Sequence, residues 1–385
     1  MSLYRPPRNV LLLGLVSFFN DVSSEMVLAV FPAFFTSVLR TGASSLGLVE
    51  GVADGVANII KIYAGRISDA KQKRKLFIFS GYALSVAVRP LYVLVFTVGG
   101  VLGLRVTDRI GKGLREGPRD AIISLSTPRE ELGRAFGYHR SMDTLGAIVG
   151  PFIAYLILSR YPSQFHIIFF SAFVVGIFAV VSIFFVRDVV GIAKKKSISL
   201  ASFATHTKDF NRYLIALFFL SAGSIPVAIL LLKTQLLGLS LSTIPLFYML
   251  YNASYASFSV SAGGLSDSYG AKNIIRIGYA LLISVYVVFA YASTPATLVV
   301  GFLLLGFFPA LTDGVQRALA AELSDEDKRG GAMGLVNAVS GFGLMFAGIF
   351  GGYVWQYFGV TNALLLASIF IFLGITLLSM PVSQK

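Results

Sequence analysis

Residues Arg105 to Pro151 read RVTDRIGKGLREGPRDAIISLSTPREELGRAFGYHRSMDTLGAIVGP. The stretch begins inside one apolar segment, crosses a short charged turn and ends inside another. Arg105, Asp108, Arg109 and Lys112 stand before the turn, and His139, Arg140 and Asp143 after it. A charge inside a bilayer costs at least a few kcal/mol, so a membrane span that keeps several marks a candidate functional site.

The rest of the chain supports a membrane setting. Its 385 residues are 56% hydrophobic and 13% charged, whereas soluble domains carry about 25% charged residues. Apolar runs of about twenty residues, the length of a helix that crosses a bilayer, recur throughout. Twelve spans are expected, at 10–39, 44–69, 75–96, 98–124, 131–159, 164–186, 210–238, 242–266, 272–292, 296–321, 330–357 and 361–380. The N-terminus, MSLYRPPRN, leads into a long span with no small-residue cleavage site, and reads as the first helix rather than a removed signal.

The net charge of +13 is explained by topology rather than by nucleic acid. With the N-terminus inside, the inner segments hold Arg5, Arg8, the Lys71–Lys75 cluster, Arg115, Arg119, Arg129, Arg134, the Lys194–Lys196 run, Lys272, Arg276, Lys328 and Arg329. The outer loops hold only Arg40 and Arg160. That asymmetry predicts both termini in the cytoplasm and a multi-pass protein of the plasma membrane. With no cysteine, a disulfide framework and thiol metal sites are excluded.

The longest polar linker, 189–209, divides the spans six and six, giving expected domains at 1–188 and 210–385. The halves repeat. AGRISD at 64–69 returns as AGGLSD at 262–267, an offset of 198, and Gly117, Gly133, Gly137 and Gly146 return as Gly314, Gly330, Gly334 and Gly343, an offset of 197. Internal repeats around a central site are the architecture of secondary transporters.

The loop after the second span, Gly65-Arg-Ile-Ser-Asp69-Ala-Lys-Gln-Lys-Arg74-Lys, resembles the cytoplasmic signature of the major facilitator superfamily, with Gln72 where a second Gly is usual. The second copy keeps Gly263 and Asp267. A Gly here permits close helix approach. An Asp at a helix C-terminus needs a cation to offset the dipole, as a conformational latch would provide; Arg74 belongs to the adjoining basic cluster. Arg105, with Gly111 and Gly113 after it, resembles the family's Arg motif, which the resemblance links to proton handling; Arg109 is an alternative bearer. Gly146, Gly150 and Pro151 resemble the family's antiporter motif, with Ala154 and Tyr155 at two further glycine positions. The resemblance covers the whole chain. It implies an all-α fold of two pseudo-symmetric six-helix bundles, in which these residues gate by packing.

Depth groups the buried charges. At 1.5 Å per residue, Asp21, Glu25, Asp54, Arg105, Asp108, Arg109, His139, Arg140 and Asp143 all lie on the order of 10–20 Å from a membrane face. Asp21 and Glu25, and His139 and Asp143, are i,i+4 pairs. The second half lacks this layer: Ser221, Ile225 and Asn337 stand where the first has Asp21, Glu25 and Arg140. The first half is therefore expected to handle protons or ions. The second is expected to offer Phe218, Phe219, Tyr248, Tyr251, Asn252, Gln316 and Asn337 to a small-molecule cargo. The buried polar groups suggest no nucleophile–base pair, so an enzyme is not expected. No phosphate-binding Gly-rich loop occurs. No cofactor and no metal site are expected, since arginines adjoin the acids.

The leading expectation is proton-coupled efflux by alternating access, in a monomer. The alternatives are coupled uptake or exchange of an organic anion (through Arg105, Arg109, Lys112 and Arg140) or of a metal ion, and a non-transporting receptor.

Overall fold

A computed structural model describes residues 5–189, 207–324 and 329–380. The expected linker at 189–209 lies almost wholly outside the described residues. The described chain is helical: α1 (Arg8–Ser37), α2 (Ala43–Lys71), α3 (Arg74–Val88), α4 (Val98–Leu125), α5 (Leu132–Arg160), α6 (Phe165–Phe184), α7 (Lys208–Ala222), α8 (Val227–Leu236), α9 (Ile244–Tyr269), α10 (Ala271–Tyr291), α11 (Pro295–Glu322), α12 (Arg329–Phe358) and α13 (Val360–Ser379). Among the described residues, nine spans are long and apolar enough to cross a membrane. α4 is not among them because of the charges in its middle.

Among the described residues the helices form twelve spans, of which the seventh is broken. A continuous helix over 210–238 was the expectation. Pro226 removes a backbone donor, and Gly223 ends α7. Backbone groups freed in a bilayer must find partners within the protein. Tyr286 of α10 supplies both: its hydroxyl accepts from the Ile225 N–H at 2.8 Å and donates to the Gly223 carbonyl at 2.9 Å. α3 likewise stops short, and Pro90 starts a 3-10 turn over Pro90–Leu94.

Contacts divide the chain into two compact units. The first holds the described residues within 1–39, 59–195 and 240–249; the second holds those within 40–58, 196–239 and 250–385. Two segments thus fall across the boundary read from the sequence: the start of α2 groups with the second unit and the start of α9 with the first. The two segments occupy corresponding places in the repeat.

In the first unit, α5 packs on α1 through Gly146 and Gly150. A Cβ on Gly146 would stand 2.7 Å from the Phe18 carbonyl and 2.9 Å from Asp21 Cβ; one on Gly150 would stand 2.5 Å from the Val22 carbonyl. The second unit repeats this crossing: a Cβ on Gly343 of α12 would meet Ser221 Cβ at 2.5 Å and the Phe218 carbonyl at 3.0 Å on α7. The α3–α4 crossing is also duplicated. Gly81 faces Arg115 of α4, and Gly278, its counterpart at offset 197, faces Thr312 of α11. A second glycine-lined crossing in this unit was not read from the sequence. Gly47, Gly51 and Gly55 of α2 pack on Gly348, Met345 and Gly341 of α12, and a Cβ on Gly47 would lie 2.1 Å from the Gly348 carbonyl.

Candidate functional site

The charges of α4 are mostly neutralised along α4 itself. Arg105 Nη1 lies 3.2 Å from Asp108 Oδ2, and its guanidinium sits 5.1 Å from the Phe31 ring centroid. Glu116 takes Lys61 at 2.6 Å and Lys112 at 3.9 Å; Arg119 and Asp120 pair at 3.0 Å. Arg115 lies over the Tyr82 ring at 4.5 Å and donates to Ser85 Oγ at 2.7 Å. Arg89, 2% exposed, ties α3 to α1 by donating to Asn20 Oδ1 at 2.8 Å and to Ser23 Oγ; Ser23 in turn donates to the Ala172 carbonyl of α6. These are load-sharing structural contacts, in which buried charge is matched by geometry.

The acids of α1 are held differently. Asp21 accepts from Asn20 Nδ2 at 3.0 Å, and Glu25 accepts from the Tyr248 hydroxyl at 2.6 Å. Neither has a cation within 4 Å among the described residues, in contrast to the acids of α4. Both are half-buried and both Cβ atoms abut the glycines of α5. The motif glycines therefore do more than join helices: they press the Asp21 and Glu25 backbone onto α5. Asp143 of α5 lies within electrostatic reach of Asp21, as do Glu25 and Arg115. His139 Nδ1 is 3.5 Å from Asp143 Oδ2, while His139 Nε2 and Asp143 Oδ1 are buried with no hydrogen-bond partner.

Of the nine expected coupling residues, eight are in the first unit and Asp54 is in the second. Arg140 is exposed. The cargo residues are less unified. Tyr248 was expected on the second half's surface; it belongs to the first unit and holds Glu25. The Gln316 side chain donates from Nε2 to the Tyr279 hydroxyl, and its backbone carbonyl accepts from the Tyr213 hydroxyl, both at 2.9 Å. Phe218 and Phe219 pack against Phe346 and Phe370 respectively. Asn252 is buried; Tyr251 and Asn337 are half-buried.

The gating expectation also changes in detail. A Cβ on Gly65 would meet nothing within 4 Å; the close approach is made by Gly117, whose Cβ would lie 3.2 Å from Gly65 Cα. Arg74 donates from Nη1 to the Val189 carbonyl at 3.0 Å. The side chains of Asp69 and Asp267, and the surroundings of Gly263, lie outside the described residues. Among the described residues, no group of three or more His, Cys, Asp or Glu could hold a metal ion.

The α4 charges have apolar counterparts in the repeat. At offset 197, Arg105, Asp108, Arg109 and Lys112 correspond to Phe302, Leu305, Gly306 and Pro309. Both halves keep the crossings, and these four charges occur in only one.

The sequence model of the Major Facilitator Superfamily matches residues 13–221 and 212–385. The chain belongs to this superfamily. It is 36% identical over 355 residues to an uncharacterized MFS-type transporter of Methanocaldococcus jannaschii, covering 91% of this chain and 89% of that one. It is 22% identical over 326 residues to the multidrug resistance protein MdtG of Yersinia enterocolitica, covering 81% and 78%. The crystal structure of the nucleoside transporter NupG shares the fold, with a TM-score of 0.81 at 16% identity over 97% of this chain and all of that one. This member of the superfamily is a multi-pass protein of the plasma membrane and a transporter of small solutes.

Proposed function

We propose that the protein is a secondary active transporter that couples solute movement to protons by alternating access, acting as a monomer with both termini in the cytoplasm. Asp21 and Glu25 carry this reading. They are two acids inside a membrane span, held by an amide and a hydroxyl rather than by a cation, at positions that are Ser221 and Ile225 in the other half. A fold that needed them for packing alone would use them in both copies. Acids without a fixed counter-ion can take up and release protons during a cycle. The residues 1–188 and 210–385 form the two moving halves.

Export by proton antiport is the direction supported by the Gly146–Pro151 motif and by the distant similarity to MdtG. A second reading, uptake of an anion together with a proton, is favoured by Arg105, Arg109 and Lys112, all of which act electrostatically on Glu25. Proteoliposomes loaded with a labelled nucleoside, organic anion or organic cation test the coupling. A solute that moves should lose its driving force when the pH gradient is collapsed, and Asp21→Asn should abolish coupled flux in folded protein. Movement indifferent to the gradient would sink proton coupling, and no movement of any of the three would count against transport.

A further inference from the structure

We infer that the cargo is an organic anion and that the carboxylate of Glu25 is its built-in competitor for the cations of α4. The inference rests on the second reading above, and it gives that reading a substrate class. Arg105, Arg109 and Lys112 follow one another at i, i+4 and i+7, so they form one stripe along α4. That stripe faces α1. The Arg105 guanidinium covers the Phe31 ring, and a small cavity is lined by Ser24 and Val27 of α1, Arg105 and Asp108 of α4, and Arg89 and Tyr92 after α3. The stripe is not demanded by the fold, since its counterparts are Phe302, Gly306 and Pro309. It is reachable, because the Lys112 side chain is 43% exposed.

The groups around Glu25 define what happens there. On α1 the neighbouring acid is Asp21. From α4 come Arg105, Arg109 and Lys112, and from α9 the Tyr248 hydroxyl. α5 packs on Glu25 through Gly150 and has no charged residue between 144 and 159. Two α4 acids share these cations, Asp108 at 3.2 Å from Arg105 and Glu116 at 3.9 Å from Lys112, and ionised Glu25 adds a further negative charge to the field of the three. A cargo carboxylate or sulfonate entering that field is repelled by Glu25 and attracted by the stripe. A proton on Glu25 removes the repulsion and leaves the attraction. Proton and anion consequently load together, and the same carboxylate screens the cations when the site is empty. A cationic cargo would meet the opposite field.

Thermal-shift titrations of the full-length protein in detergent test this without any membrane gradient, so they are independent of whether flux is proton-coupled. The probes are benzoate, benzenesulfonate and glucuronate, ionised throughout the range used, with benzylammonium and glucose as controls. Anions should stabilise the wild type more than either control, and more at about pH 6 than at about pH 8. Glu25→Gln should bind the anions about fiftyfold more tightly at about pH 8, the repulsion of two carboxylates on the order of 7 Å apart at an effective dielectric near 20. It should also lose the pH dependence. Lys112→Gln, at a half-buried position whose partner Glu116 keeps its 2.6 Å bond from Lys61, should weaken anion binding. Anion binding no better than that of the controls, unchanged or weaker in Glu25→Gln, or unaffected in Lys112→Gln, would overturn the inference. Coupled flux of a cation or a neutral solute with no anion binding would keep proton coupling and discard the anion.

Discussion

Replacing Gly150 by Ala tests whether α1 is pressed onto α5 as tightly as the site requires. The added Cβ would lie 2.5 Å from the Val22 carbonyl, 3.0 Å from the Met26 nitrogen and 3.1 Å from Glu25 Cβ. Ordinary contact begins at 3.4 Å, so α1 must retreat by about 0.9 Å at Val22. The atoms it meets include backbone, which cannot rotate away. Overpacking of this kind costs about 1–3 kcal/mol, offset by up to about 1 kcal/mol from the better helix propensity of Ala. If Glu25 moves with its helix, the 2.6 Å bond from Tyr248 stretches to the limit of a hydrogen bond. Gly137 provides the control on the same helix: it is exposed and a Cβ there would meet nothing within 4 Å. Gly137→Ala should therefore leave stability unchanged or raise it by up to about 1 kcal/mol. Thermal unfolding in detergent reads the two changes, and gradient-driven flux reads the site. Equal melting temperatures and wild-type flux in Gly150→Ala would refute the claim that this crossing sets the position of the α1 acids.

Three further outcomes are expected. Gly55→Cys with Met345→Cys should form a disulfide on mild oxidation, because the Gly55 Cβ would stand 3.3 Å from Met345 Cβ and the chain has no cysteine of its own; flux should stop and return on reduction, and a failure to cross-link would refute the α2–α12 approach. Tyr286→Phe should destabilise by about 1–3 kcal/mol, since it removes two bonds and leaves the Ile225 N–H and the Gly223 carbonyl only their own 3.2 Å contact. Tyr82→Phe should be neutral by the same unfolding measurement, because the Tyr82 hydroxyl is buried with no hydrogen-bond partner; equal losses in the two variants would refute the bracing role of Tyr286.

Span number and approximate ends were legible because hydropathy and bilayer thickness leave little freedom over where a helix of this composition can stop. The layer of charges was legible for a related reason: Asp21, Arg105 and Asp143 stand out against apolar neighbours. What the sequence could not show was partnership. Hydropathy runs smoothly through 210–238, and only Gly223 and Pro226 signal the break, while the tyrosine that braces it sits 61 residues from Ile225. Tyr248 looked like one aromatic among many in the second half. Its bond to Glu25 depends on the grouping of residues 240–249 with the first unit, which no local pattern encodes. Gly65 drew attention through its motif, yet the contact it was credited with is made from Gly117, a relation fixed by helix rotation rather than by spacing. Gly47 and Gly348 passed unnoticed because glycine at a helix crossing resembles glycine anywhere else in a membrane span.

The duplicated crossing has an electrical consequence. Gly146 and Gly343 receive α1 and α7 in the same way, but the residue received is Asp21 in one case and Ser221 in the other. A membrane potential does work only on charge that moves through it, about 2.3 kcal/mol for each elementary charge carried across 100 mV. Serine carries none. The voltage across the cell membrane can therefore act on the first crossing, through the charge state of Asp21 and its neighbour Glu25, and finds no handle on the second.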